Sequence, residues 1–232
     1  MAQLAFACFS AAAFAASLLY FLYRYLFRFG ALASSSDPAL SLLVNLFLFT
    51  SFAAHHTVFA RTGVKRLVIR LVPPPLERAV YTLIASVLFV IVIYAWRPLP
   101  GAAWMLHGVW KWPGYVSQAA GIVLTIIAAR TLDVWELAGV RQVSGKGKKN
   151  APVALQTHGL YGFVRHPLYF AWVLVVFGAP GMTMTRLSFA VISTAYLAIA
   201  IPFEERSLIE TFGEDYASYQ RQVRWKMIPG IY

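Results

Sequence analysis

The chain has 232 residues, of which 59% are hydrophobic and only 12% charged. Soluble domains carry about 25% charged residues, so this composition excludes an ordinary soluble globular protein and indicates an integral membrane chain. The formal net charge is +11, but the basic residues sit between apolar runs, which assigns them to a membrane rim facing anionic lipid rather than to nucleic acid.

In chain order, Leu4 to Tyr23 is the first run long enough to span a bilayer, which takes about 20 apolar residues. It lacks a basic n-region and exceeds the length of an h-region, so it reads as a retained transmembrane helix rather than a signal peptide. Arg24 and Arg28 follow it. Ser34 to Pro38 is a turn with helix-start chemistry. A second span runs from Ala39 to Phe59. Arg61, Lys65, Arg66 and Arg70 come next, then Pro73-Pro74-Pro75, which no helix interior accommodates. The third span is Ala79 to Trp96, stopped by Arg97-Pro98-Leu99-Pro100-Gly101. The fourth is Tyr115 to Ala129.

Thr131 to Arg165 is the long polar stretch, with a basic loop at Lys146 to Lys149. Two apolar runs follow, Leu168 to Ala179 and Leu187 to Phe203, with Pro180-Gly181 between them. The first is short for a full crossing, so the pair reads as a helical hairpin. In the tail, Leu208, Phe212, Tyr216, Tyr219 and Val223 recur at three- and four-residue steps, an amphipathic pattern that Gly213 divides into two short helices. The expected fold is therefore all-α integral membrane, with five to six transmembrane segments, a C-terminal hairpin and interfacial C-terminal helices. Residues 1–130 form the N-terminal helices and 131–232 the C-terminal region of one integrated membrane domain.

Loop charge sets the orientation. Arg61 to Arg78, Arg130 to Arg165 and the tail are basic and fall on one side if six segments are counted, so that side is expected to be cytoplasmic. Arg24 and Arg28 end on the opposite face. The one cysteine, Cys8, excludes an intrachain disulfide and a Cys-based zinc site. His55 and His56 are adjacent on a helix and point in different directions, with no carboxylate at ligand spacing, so no metal site is expected. As polar residues at a water interface they need no further role; a substrate-side proton acceptor is the functional alternative. The tryptophans near span ends, such as Trp96, Trp104, Trp110 and Trp112, read as an aromatic belt.

Two stretches carry chemistry. His158 to Tyr169 packs two histidines, an arginine and two tyrosines around a helix start at Pro167. Glu204-Glu205-Arg206 opens the tail where the last apolar run ends. Each alone could be a solvated flank. A closed hairpin would bring both to one membrane face.

At these residues the sequence resembles a known family. Gly159-x-Tyr161-x-x-Val164-Arg165-His166-Pro167-x-Tyr169 is similar to the isoprenylcysteine carboxyl methyltransferase superfamily. So is Glu204-Glu205-x-x-Leu208-x-x-x-Phe212-Gly213-x-x-Tyr216-x-x-Tyr219-x-x-x-Val223, followed by Ile228-Pro229. From about residue 45 onward the chain looks like the bacterial methanethiol S-methyltransferase branch, with the related NnrU-type proteins. His55-His56-x-x-x-x-Arg61, Pro73-x-x-x-Glu77-Arg78-x-x-Tyr81, Trp96-Arg97-Pro98 and Leu137-x-Gly139-x-Arg141-Gln142 carry that likeness. Gln222 stands near where prenylcysteine enzymes carry an arginine, which counts against a prenylcysteine carboxylate substrate.

The resemblance implies S-adenosyl-L-methionine bound in a C-terminal pocket by His158, Gly159, Tyr161, Val164, Arg165, His166, Pro167, Tyr169, Glu204 and Glu205. It implies catalytic roles for Arg165, His166, Glu204, His55 and Arg221. The cofactor's carboxylate calls for Arg165, His166 or His158, its ammonium for Glu204 or Glu205, and its sulfonium for an aromatic face such as Tyr161. The implied reaction is methylation of a small thiol such as methanethiol to dimethyl sulfide, in a bacterial inner membrane with the cofactor site facing the cytoplasm. The alternatives are carboxyl methylation of a prenylcysteine or other lipophilic acceptor, and a non-enzymatic accessory protein. The expected partners are the lipid bilayer and the methyl acceptor, with no nucleic acid. Oligomeric state stays open.

Overall fold

The structure, a computed structural model, describes residues 1–34, 37–59, 69–131, 134–145 and 155–232. The basic loop Lys146 to Lys149 and the basic residues Arg61, Lys65 and Arg66 lie outside the described residues. Helices α1 (Ala2–Tyr23), α2 (Pro38–Phe59), α3 (Glu77–Ala95), α4 (Lys111–Thr131), α5 (Val134–Leu137), α6 (Val140–Val143), α7 (Pro167–Phe177), α8 (Met184–Phe212) and α9 (Glu214–Gln222) make up most of it. Among the described residues five helices are long and apolar enough to cross a membrane, and α7 is a shorter apolar helix. The protein is thus an all-α integral membrane protein. Two short strands, β1 (Ala102–Met105) and β2 (Gly181–Thr183), pair with each other. They were not expected, because runs this short carry no readable alternation.

The chain forms two compact units. In the first, α1, α2 and α3 pack through aromatic rings. Phe89 of α3 lies 5.7 Å from Phe21 and 5.3 Å from Phe52. Trp96, expected in the interfacial belt, is instead only 4% exposed and stacks on Phe29. Asn45 fixes the end of α3 from within α2: its side chain accepts from Arg97 N and donates to Arg97 O, at 2.7 and 2.8 Å. His55 belongs to this unit, buried and stacked on Tyr81 at 5.2 Å.

The second unit takes residues 103–131, expected with the N-terminal helices, together with most of the C-terminal region. The reason is a close seam between α4 and α7. A Cβ on Gly121 would sit 2.6 Å from the Ala171 carbonyl oxygen, so only glycine lets the two backbones approach this far. The seam is tied by Ser117 and Gln118, which donate to the carbonyls of Leu174 and Val175 at 3.1 and 3.2 Å.

Helix α8 has 29 residues, and about 20 suffice to cross the hydrocarbon core. Counted from Met184, that length is used by Phe203, so Glu204 and Glu205 begin the part of α8 in excess of one crossing. The segment before Gly213 is not a separate short helix, as expected, but the continuation of α8, with Pro202 inside it. A proline there cannot donate to the carbonyl of Ala198. The Tyr232 hydroxyl approaches that oxygen at 3.4 Å and stands in for the missing donor. The break comes at Gly213, whose φ of +57° disfavours a side chain.

Candidate functional site

The two chemistry-bearing stretches meet in the second unit. Pro167 starts α7, because its ring fixes φ and the first-turn N–H is dispensable. The preceding Arg165 and His166 pair with the returning tail: Arg165 N donates to Trp225 O at 2.9 Å and His166 N to Lys226 O at 2.8 Å. This backbone pairing aims both side chains at the part of α8 that begins with Glu204 and Glu205.

Arg165 is buried and fully engaged. Its Nε donates to Glu205 Oε1 at 2.6 Å and its Nη2 to Glu205 Oε2 at 3.3 Å. Its Nη1 donates to the carbonyls of Val223 and Arg224 at 2.6 and 3.0 Å. Glu205, 8% exposed, also accepts from Gln220 at 3.1 Å and faces His166 Nε2 at 3.3 Å. A buried ion pair persists only when its remaining hydrogen-bonding capacity is met, and here the surrounding groups meet it. The pair ties α7, α8, α9 and the C-terminal return together.

Glu204, one residue earlier, has a different environment. Its side chain is 46% exposed. It accepts from the Tyr169 hydroxyl at 2.9 Å, and His166 Nδ1 lies 3.5 Å away. The His166 and Tyr169 rings stack nearly parallel, 5.3 Å apart. Two carboxylates face one guanidinium here, so one carboxylate lies beyond the Arg165–Glu205 pair. Glu204, with open lone pairs and an aromatic neighbour, is that carboxylate, available to a cation.

The amphipathic tail closes the other side. Tyr216, Tyr219 and Val223 form a buried cluster against Leu155, Tyr161, Leu208 and Phe212. Tyr219 donates to the Tyr161 carbonyl at 2.7 Å, which holds the Gly159–Gly162 turn onto α9. Burial pushes the Tyr219 hydroxyl up to about 12, and burial likewise raises that of Tyr216.

Val164 and Pro167 are buried, while His158 and Gly159 are exposed. Arg221 lies on the outer face of α9, its side chain 65% exposed and paired with Glu214. Gln220 and the carbonyls of Val223 and Arg224 were not anticipated. Gln220 lies four residues after Tyr216, so helical spacing puts it on the same face, but an amide alone gives no signal in sequence. Among the described residues no three His, Cys, Asp or Glu side chains converge as a metal site.

A family model described as a protein of unknown function (DUF1295) matches residues 78–223, which include both motif stretches. Methanethiol S-methyltransferase 2 of Bradyrhizobium diazoefficiens is 34% identical over 229 residues, covering 96% of this chain and 88% of its own length. The chain belongs to this methyltransferase family. Another member, the methanethiol S-methyltransferase of Mycobacterium tuberculosis, is 36% identical over 193 residues, with 79% of this chain and 76% of its own length covered. More distantly, protein-S-isoprenylcysteine O-methyltransferase of Dictyostelium discoideum is 36% identical over 81 residues, 34% of each chain. No solved structure gives a significant match.

Proposed function

We propose that this protein transfers a methyl group from S-adenosyl-L-methionine to a small thiol, methanethiol, forming dimethyl sulfide. The observation that carries the reading is the family membership along nearly the whole chain, under relatives named for that reaction. When bound, the cofactor supplies an activated methyl for in-line displacement by a thiolate sulfur, the thiol proton leaving to solvent. The donor set fits it. Glu204 holds the ammonium, because it is the carboxylate of the pair with unfilled acceptor sites. Tyr169, bonded to Glu204, presents an aromatic wall for adenine. Arg165 and Glu205 are positioning residues: saturated by each other and by backbone, they hold His166 and α8 in register. His166, with Nδ1 beside Glu204 and Nε2 beside Glu205, orients the two carboxylates.

The cofactor site is assigned to the cytoplasmic face of a bacterial inner membrane, on the strength of the loop charges. A small apolar thiol needs no long lipid-side groove and no carboxylate clamp. Gln222 stands near where a clamp arginine would be, and its neighbour Arg221 pairs with Glu214. The test is methyl transfer by the purified chain from labelled cofactor to methanethiol, with dimethyl sulfide read by headspace gas chromatography. Sulfide formation is expected. Methyl ester on a prenylcysteine analogue with no sulfide would overturn the thiol reading. No transfer, with cofactor bound or not, would favour an accessory protein.

A further inference from the structure

The first span ends in a feature that methyl transfer does not use. Arg24–Arg28 continue α1 as a π-helical turn, and Ala2–Arg28 together make a helix of 27 residues. At about 1.5 Å per residue it is about 40 Å long, more than the hydrocarbon core of about 30 Å. Its last turn therefore reaches the headgroup layer. Beside that turn, within the first unit, lies a cavity of about 190 Å³ lined by Arg24, Arg28, Phe29, Trp96, Pro98 and Thr185 among others. A volume of about six waters in the liquid accommodates a phosphate group.

The cavity is electropositive. None of its described lining residues is acidic, and among the described residues neither arginine has a carboxylate within ion-pair distance. Arg24 is half-buried. Its Nε is shielded from solvent without a hydrogen-bond partner, and its Nη2 reaches the Tyr94 carbonyl only at 3.4 Å. The guanidinium lies against the Phe29 ring at 5.7 Å, which holds it in place. A shielded guanidinium N–H without an acceptor is unfavourable, and two guanidinium groups facing one cavity repel. An anion relieves both, and the planar fork of arginine suits phosphate. The loop-charge rule leaves this pair unexplained, since Arg24 and Arg28 fall on the face opposite the other basic loops.

We propose that this cavity binds a phosphate group through Arg24 and Arg28, and that the phosphodiester of a membrane phospholipid supplies it. The depth of the last turn argues for lipid as the source. So do Tyr23 and Phe27, which flank the arginines and are exposed, as rings at the headgroup level are.

Native mass spectrometry of the full chain, released from detergent with phosphatidylglycerol, diacylglycerol or inorganic phosphate, tests the site. Phosphatidylglycerol should stay bound and diacylglycerol, which has no phosphate, should not. In the double variant Arg24→Gln/Arg28→Gln the affinity should fall at least about 30-fold, from about 1 kcal/mol for each arginine–phosphate hydrogen bond lost. Arg130→Gln, which removes one exposed charge elsewhere, should bind like the parent. Arg24→Lys keeps the charge and loses the fork, so a weaker adduct from a protein of unchanged melting temperature supports the geometry even if the double variant fails to fold. Displacement of the lipid by equimolar inorganic phosphate would overturn the lipid source while supporting the phosphate site. Equal retention of phosphatidylglycerol by the parent, the double variant and Arg24→Lys would overturn the proposal.

Discussion

Glu204 and Glu205 are neighbours in sequence with opposite environments, one half-exposed and one buried against Arg165, and substitution should separate them. Glu205→Gln leaves Arg165 buried without its counter-charge, and breaking a buried pair this way costs about 3–5 kcal/mol. A large drop in melting temperature in detergent is expected. Glu204→Gln should leave the melting temperature near that of the parent, because its side chain is half-exposed, and should weaken S-adenosylmethionine binding measured by calorimetry. Unchanged cofactor affinity in Glu204→Gln would remove it from the pocket. The buried tyrosines set a pH limit. Tyr219 ionises near 12 in the folded protein and near about 10 unfolded. The unfolded chain therefore releases its proton first, and the stability present below about pH 10 is lost progressively toward about pH 12. Denaturation followed across that range should show this loss. In Tyr219→Phe the slope should be shallower, with Tyr216 still contributing, and removal of the bond to the Tyr161 carbonyl should cost about 1 kcal/mol at neutral pH.

At the scale of elements, the seam between α4 and α7 explains why an 11-residue helix is stable at membrane depth. Alone, α7 is too short to cross. It is held by the Gly121 contact and by two side-chain bonds to its carbonyls. Gly121→Val should force the helices apart, with overpacking of this kind costing about 1–3 kcal/mol. Gly121→Ala should be milder but in the same direction. Thermal unfolding of the two variants in one detergent would check the order, and a valine variant as stable as the parent would refute the seam. The last turns of α8 follow similar logic. Pro202 removes a backbone donor, and the C-terminal Tyr232 approaches the exposed carbonyl, so the tail closes the site and patches the helix that carries Glu204 and Glu205.

For the whole molecule the testable statement is orientation. With the basic loop on the cytoplasmic side, a cysteine at Gly147→Cys, in a Cys8→Ser background, should resist an impermeant reagent applied to intact cells and react after lysis. Labelling from outside would invert the topology and move the site to the other face. Among the described residues five helices are long and apolar enough to cross and α7 is a shorter apolar one, which fits the expected five to six segments.

The membrane fold was legible in the sequence because the bilayer sets one length scale: an apolar run of about 20 residues can scarcely be anything else. The two candidate stretches were legible as a pair, since His158 to Tyr169 and Glu204 to Val223 concentrate titratable and aromatic residues, and the structure brings Arg165, His166 and Tyr169 against Glu204 and Glu205. The tail's three- and four-residue spacing anticipated the cluster of Leu208, Phe212, Tyr216, Tyr219 and Val223. What sequence left open were the partnerships. Composition could not separate Glu204 from Glu205, because their difference lies in burial and in donors arriving from residues 165, 166, 169 and 220. Nor could it move Trp96 from the lipid rim to a stack on Phe29, or take residues 103–131 into the C-terminal unit. Each of those outcomes depends on distances between segments far apart in the chain. Local hydrophobicity and charge decide where a segment sits in a bilayer, and only packing decides which side chains are left with capacity to bind.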